Sequence, residues 1–226
     1  MVHFISVVWD FVMHLDVHLL QLFTDYGGIT YLILFAIIFC ETGLVVTPFL
    51  PGDSLIFAAG ALASIAAAST ADGHAGNIFI LFFVLFAAAV LGNTTNYILG
   101  RVIGQKIYNK EKHRFIKKES LDSTMAFFEK HGPVTIIVTR FMPIIRTFTP
   151  FVSGIAKMKA ATFTVFNMLG GFLWVVLFLA AGHFFGQIKF VSQHISMIMV
   201  GIVVISLLPA IIGKIVSMMK KRKAAQ

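Results

Sequence analysis

One cysteine, Cys40, is present in 226 residues, and no lysine or arginine precedes Arg101. A lone cysteine excludes an intrachain disulfide and any cysteine-based metal site; within its apolar run Cys40 reads as packing filler. Charge is scarce throughout, at 12% of residues, against 58% hydrophobic residues, 24 Phe and a mean hydropathy of +0.89. Water-soluble domains carry about a quarter charged residues, so this composition places the chain in a lipid bilayer. A Ser/His/Asp or paired-His constellation is also missing. An enzyme such as a lipid-phosphate phosphatase would need a nucleophile with an acid/base partner, so the expectation is a protein with no enzymatic activity, no cofactor and no metal.

Three apolar runs, 78–99, 162–185 and 195–216, suit transmembrane helices, because about 20 residues cross a ~30 Å hydrocarbon core. The segment 1–26 holds no Lys or Arg and is interrupted by Asp10, His14, Asp16 and His18, so it lacks the pattern of a cleavable signal and is expected to be retained. Its apolar residues Phe4, Val7, Val8, Phe11, Val12, Leu15 and Leu19 recur at spacings of three and four, which predicts an interfacial helix. Positive charge gathers in 101–132, at Lys157 and Lys159, and in a tail from Lys214 to Lys223. Short basic loops stay cytoplasmic, which puts those segments and the C-terminus inside and 69–77 outside. The tail reads as an orientation signal, with no nucleic-acid partner.

Both flanks of 134–155 are then cytoplasmic, so this segment is expected to enter the membrane and return as a re-entrant hairpin. Pro143 and Pro150 supply its breaks, since proline removes a helix hydrogen bond and clashes with the preceding turn. "FTDYGGIT" at 23–30 matches "FEKHGPVT" at 128–135 with an offset of 105, which also lays Glu41 on Arg146. "FAAG" at 57–60 resembles "FVSG" at 151–154, "LGN" at 91–93 resembles "LGG" at 169–171, and "GRVIG" at 100–104 resembles "GHFFG" at 182–186. Their preserved order proposes two copies of one unit. The resulting fold class is an all-α integral membrane protein: an inverted repeat of interfacial helix, re-entrant hairpin and transmembrane helix, followed by a C-terminal transmembrane helix. The first hairpin spans 29–69, although 29–46 is long enough to cross, and breaks at Pro48, Pro51 and Gly52.

Charges flank both breaks: Glu41 and Asp53 in the first hairpin, Arg140 and Arg146 in the second. Each uncompensated charge near the bilayer centre costs ~2.5–3.5 kcal/mol or more, which makes pairing close to obligatory. Static ion pairs are the bland reading, but buried pairs stabilise poorly compared with apolar packing. A site that binds an anionic head group on Arg140 and Arg146 and exchanges protons on Glu41 and Asp53 uses both signs of charge. The planar guanidinium suits phosphate, and a carboxylate in a low-dielectric site can titrate near neutral pH. Asn93 and Asn96 are expected either to line this site or to join helices. Trp174 and the phenylalanines read as packing and lipid contact, His131 and His183 as interfacial residues, and His74 as a loop residue.

The stretches "FCETGLVVTPFLPGDSLIFAAGALAS", "NYILGRVIG", "FFEKHGPVTIIVTRFMPIIRTFTPFVSGIAKM" and "GGFLWVVLFLAAGHFFG" resemble the DedA family of bacterial inner-membrane proteins, relatives of the VTT-domain proteins. The resemblance runs from about residue 4 to residue 213. It implies two opposed re-entrant hairpins and transbilayer movement of lipids, notably a polyprenyl phosphate such as undecaprenyl phosphate, dependent on the proton motive force. The family's functional acids match Glu41 and Asp53, and its functional arginines match Arg140 and Arg146. Many close members carry Asp where this chain has Asn93, and an amide there cannot relay protons. The alternative function is a proton-coupled transporter of ions or small solutes using the same four residues.

Overall fold

A computed structural model describes residues 28–44, 52–69, 77–108, 128, 130–188, 197–198 and 201. The expected interfacial helix at 1–26, the prolines Pro48 and Pro51, the basic stretch 109–127, and the third span at 195–216 apart from helical positions 197, 198 and 201 lie outside those residues. Among the described residues every regular element is helical: α1 (Gly28–Gly43), α2 (Gly52–Ser69), α3 (Ile78–Tyr108), α4 (Gly132–Phe141), α5 (Pro143–Ile155) and α6 (Ala160–Gly186). The α4 segment is irregular, with one α-turn at Thr135–Val138 between 3₁₀ turns at Gly132–Val134 and Thr139–Phe141.

Among the described residues, two helices are long and apolar enough to cross a membrane, Ile78–Val102 within α3 and Ala160–Gly186. Each covers an expected span and extends past it. Asn77 caps α3 by accepting the backbone N–H groups of Phe79 and Ile80, and its own N–H donates to the Tyr31 hydroxyl on α1. At the far end, Lys157 adopts a left-handed backbone (φ 53°), and the Met158 N–H reaches back to the Ser153 carbonyl to close α5.

Burial is inverted relative to a water-soluble protein. Phe79 is 71% exposed and Phe184 69%, whereas Glu41 is 1% exposed and Asn96 and Asn167 are fully buried. Large apolar side chains outside and polar ones inside are the distribution that a lipid solvent imposes. The apolar core between Leu34, Ile38, Ile56, Leu85 and Leu179 continues around Trp174.

Helix directions follow from paired contacts. Tyr31 meets Asn77 and Gly43 meets Gly92, so α1 runs alongside α3 from the same end. α5 also runs with α3, since Asn96 contacts Thr147 and Gly100 contacts Phe151. α6 begins where α3 ends: the Tyr97 hydroxyl and the Arg101 guanidinium both donate to the Met158 carbonyl. α2 runs with α6, Phe57 against Gly182 and Ala61 against Gly186. These approaches are backbone to backbone. A Cβ on Gly182 or Gly100 would strike the main chain of Phe57 or Phe151, which is why glycine occupies both positions.

The expected pair of proline breaks is corrected at one position. Met142 is extended (φ −114°, ψ 100°) and separates α4 from α5, with Pro143 opening the new helix. Pro150 lies inside α5, which continues to Ile155. A proline at 150 lacks only the N–H owed to the Arg146 carbonyl, in the helix's first turn, and the chain loses one bond without stopping.

Candidate functional site

Four helix ends converge on one buried cluster. Glu41 closes α1, Asp53 sits in the first turn of α2, Arg140 in the last turn of α4 and Arg146 in the first turn of α5. Asp53 is favoured there by the partial positive charge of a helix N-terminus, whereas Glu41 and Arg146 each sit at the helix end that disfavours their charge. Those two are ion-paired with each other, Arg146 Nη2 donating to Glu41 Oε1. Arg146 Nη1 donates to Asp53 Oδ1 at 2.5 Å, so one guanidinium bridges both carboxylates. Glu41 Oε2 has no hydrogen-bond partner among the described residues. The Glu41 carboxyl lies against the α-carbon of Gly52, and any side chain at 52 would occupy its place.

Trp174 on α6 ties the cluster together. Its indole N–H donates to Asp53 Oδ1 at 2.9 Å, and the guanidinium carbons of Arg140 and Arg146 lie 5.4 and 5.3 Å from its ring centroid. The expectation that Trp174 serves packing and lipid contact is corrected here: the ring packs in the core, and it also contacts both signs of charge.

Arg140 has different neighbours. Nη1 donates to the Asn167 backbone carbonyl at 3.2 Å and to its Oδ1 at 3.0 Å, and Nη2 donates to the Ala89 carbonyl at 3.1 Å. Among the described residues it makes no ion pair. Asn167 is braced in turn. Its Oδ1 also accepts from Asn93 Nδ2 at 3.1 Å, while its Nδ2 donates to the Val90 carbonyl and the Thr94 hydroxyl. Gly170 and Gly171 leave room for the Arg140 side chain beside α6.

Asn96 joins the two halves of the molecule by donating to the carbonyls of Thr42, at 3.2 Å, and Thr147, at 2.8 Å. Glu41, Thr42, Asn93, Arg140, Arg146, Thr147 and Trp174 line a cavity of about 10 Å³, room for roughly one water. The structure thus brings Glu41, Asp53 and Arg146 together, places Arg140 beside Trp174 on neutral acceptors, and puts Asn93 in the lining and Asn96 at a helix joint. Asn167 went unnoticed in the sequence, although an amide in the middle of an apolar span carries the same signal that singled out Asn93 and Asn96.

Buried charge between apolar helices with a phenylalanine-rich exterior defines an all-α membrane protein with an intramembrane polar site. Residues 46–184 match the VTT domain, a range that takes in Asp53, Arg140, Arg146, Asn167 and Trp174. Protein DedA of Escherichia coli K12 is 47% identical over 203 residues, covering 90% of each chain. An uncharacterized membrane protein of Mycobacterium leprae is 43% identical over 177 residues, 78% of this chain and 76% of that one. Inner membrane protein YghB of Escherichia coli K12 is 31% identical over 223 residues, 96% and 95% of the two chains. No solved structure matches the chain. The chain belongs to the DedA family of VTT-domain membrane proteins.

Proposed function

We propose that this protein carries an anionic lipid, a polyprenyl phosphate such as undecaprenyl phosphate, across the bacterial inner membrane with the help of protons. The observation that carries the reading is the Arg146 guanidinium bridging Glu41 and Asp53, with Arg140 close by, at the inner ends of four helices. In this reading α1–α2 and α4–α5 are re-entrant hairpins that dip from opposite faces, and the site lies where their tips meet. Arg140 and Arg146 serve the phosphate, and Glu41 and Asp53 exchange protons as the hairpins part on one side and then the other. The chain is multi-pass, its basic end cytoplasmic, and it breaks no covalent bond.

Purified protein in vesicles containing a labelled polyprenyl phosphate tests the proposal. The label should move between leaflets faster than in empty vesicles, and an imposed proton gradient should change the rate. Proton flux with no lipid movement would favour the ion or small-solute transporter instead.

A further inference from the structure

The two arginines share a tryptophan but not their partners. Arg146 is committed: both carboxylates of the cluster are on its guanidinium. Arg140 gives its three hydrogen bonds to uncharged oxygens, two on Asn167 and one on Ala89. We infer that the phosphate role given above to both arginines falls to Arg140 as the anion seat, that Asn167 is the positioning residue holding it ready, and that Arg146 serves as the internal counterion of the acids. The inference rests on the lipid-phosphate reading and divides its labour.

Electrostatics decide which arginine an anion takes. At Arg146 an incoming phosphate would be driven against two carboxylates, and like charges a few ångströms apart repel strongly in a low-dielectric site. At Arg140 it displaces neutral acceptors only, and a bond between guanidinium and oxyanion adds the Coulomb attraction of two opposite charges that a guanidinium-to-carbonyl bond lacks. Asn167 suits this task because it is an amide. It is fully buried, and its Oδ1 orients the guanidinium without neutralising it. Its own orientation is fixed by Asn93, Val90 and Thr94, so the seat is held before any anion arrives. A carboxylate at 167 would give Arg140 a resident counterion and close the seat. The present cavity, room for about one water, is too small for a phosphate, so the seat fills only when the surrounding helices part.

Trp174 provides the readout. The chain has two tryptophans, so Trp9→Phe leaves Trp174, beside both guanidinium groups, as the sole tryptophan, which is excited selectively over the four tyrosines. Full-length protein in detergent, in the Trp9→Phe background, is titrated with farnesyl phosphate and with farnesol as the uncharged control. The phosphate should bind at least tenfold more tightly than the alcohol. Asn167→Asp should weaken phosphate binding at least tenfold and leave farnesol binding unchanged, whereas Asn167→Ala, which keeps Arg140 unneutralised, should lose less than Asn167→Asp. Equal losses in the two variants, or none, would overturn the inference. If Asn167→Asp does not accumulate, Arg140→Gln decides: loss of the phosphate preference supports the seat, and retention refutes it. A parent protein that binds phosphate and alcohol alike would instead refute the lipid-phosphate reading on which the seat depends.

Discussion

Trp174 makes the most specific contact in the cluster for a residue whose type suggests only bulk. Its N–H is bonded to Asp53 while its ring faces both guanidinium groups, so the two properties can be separated by substitution. Trp174→Phe keeps an aromatic ring and removes the donor. It should fold with a melting temperature near that of the parent and move lipid several-fold more slowly, because Asp53 loses a fixed partner. Trp174→Leu also removes the ring contacts, worth ~0.5–2 kcal/mol each, and should melt several degrees lower as well. Thermal denaturation in detergent and the vesicle assay measure the two effects; equal transport in parent and Trp174→Phe would remove the indole N–H from the mechanism. The ionic members of this site were legible in the sequence because an unpaired charge is intolerable in lipid, and Glu41 and Asp53 are the acids that flank the break of the other apolar hairpin. The neutral members were not. Asn167 and Trp174 find partners 27 to 121 residues away, and a hydrogen-bonding side chain carries no mark of which distant backbone it will face.

At the scale of helices, the short matches in the sequence acquire a packing reason. "FAAG" on α2 seats on "GHFFG" of α6, and "FVSG" on α5 seats on "GRVIG" of α3, so each small-residue motif packs against its counterpart's neighbour from the other half of the chain. Periodicity did not reveal which helix would meet which. In lipid a helix is apolar on every face, and close approach depends on small residues instead. The glycines should therefore be unequal. Gly182→Val and Gly100→Val drive side-chain atoms into backbone that has nowhere to go, and overpacking of this kind costs ~1–3 kcal/mol or more. Both variants should accumulate poorly and melt well below the parent. Gly28→Ala meets no atom within 4 Å and should behave as the parent does. Similar melting temperatures for all three would show that α2–α6 and α3–α5 do not approach as closely as described. Pro150 teaches the complementary lesson: a proline breaks a helix only where the neighbouring helices leave the chain free to turn, and within α5 it is buried.

The whole molecule has a polarity that labelling can test. Arg101, Lys157 and Lys159 gather where α3 ends and α6 begins, and among the described residues no Lys or Arg sits beside Gly28 and Asn77 at the opposite end. The bias of basic residues predicts that the first group faces the cytoplasm. α3 has 31 residues, ~46 Å of helix, enough to separate the two ends by a full bilayer. α1 has only 16 residues, ~24 Å, too short for a ~30 Å core, and its last glycine stops beside Gly92 partway along α3. Replacing the single native cysteine, Cys40→Ala, gives a background for three probes: Gly28→Cys, Lys159→Cys and Leu44→Cys. A membrane-impermeant maleimide should reach position 28 only from outside spheroplasts and position 159 only in inverted vesicles. Position 44, just past the end of α1, should resist the reagent from both sides and react only after detergent is added. Aqueous labelling of 44 from the face opposite to 28 would make α1 a crossing helix, and the opposed-hairpin reading, with its alternating access to Arg146 and Arg140, would fall with it.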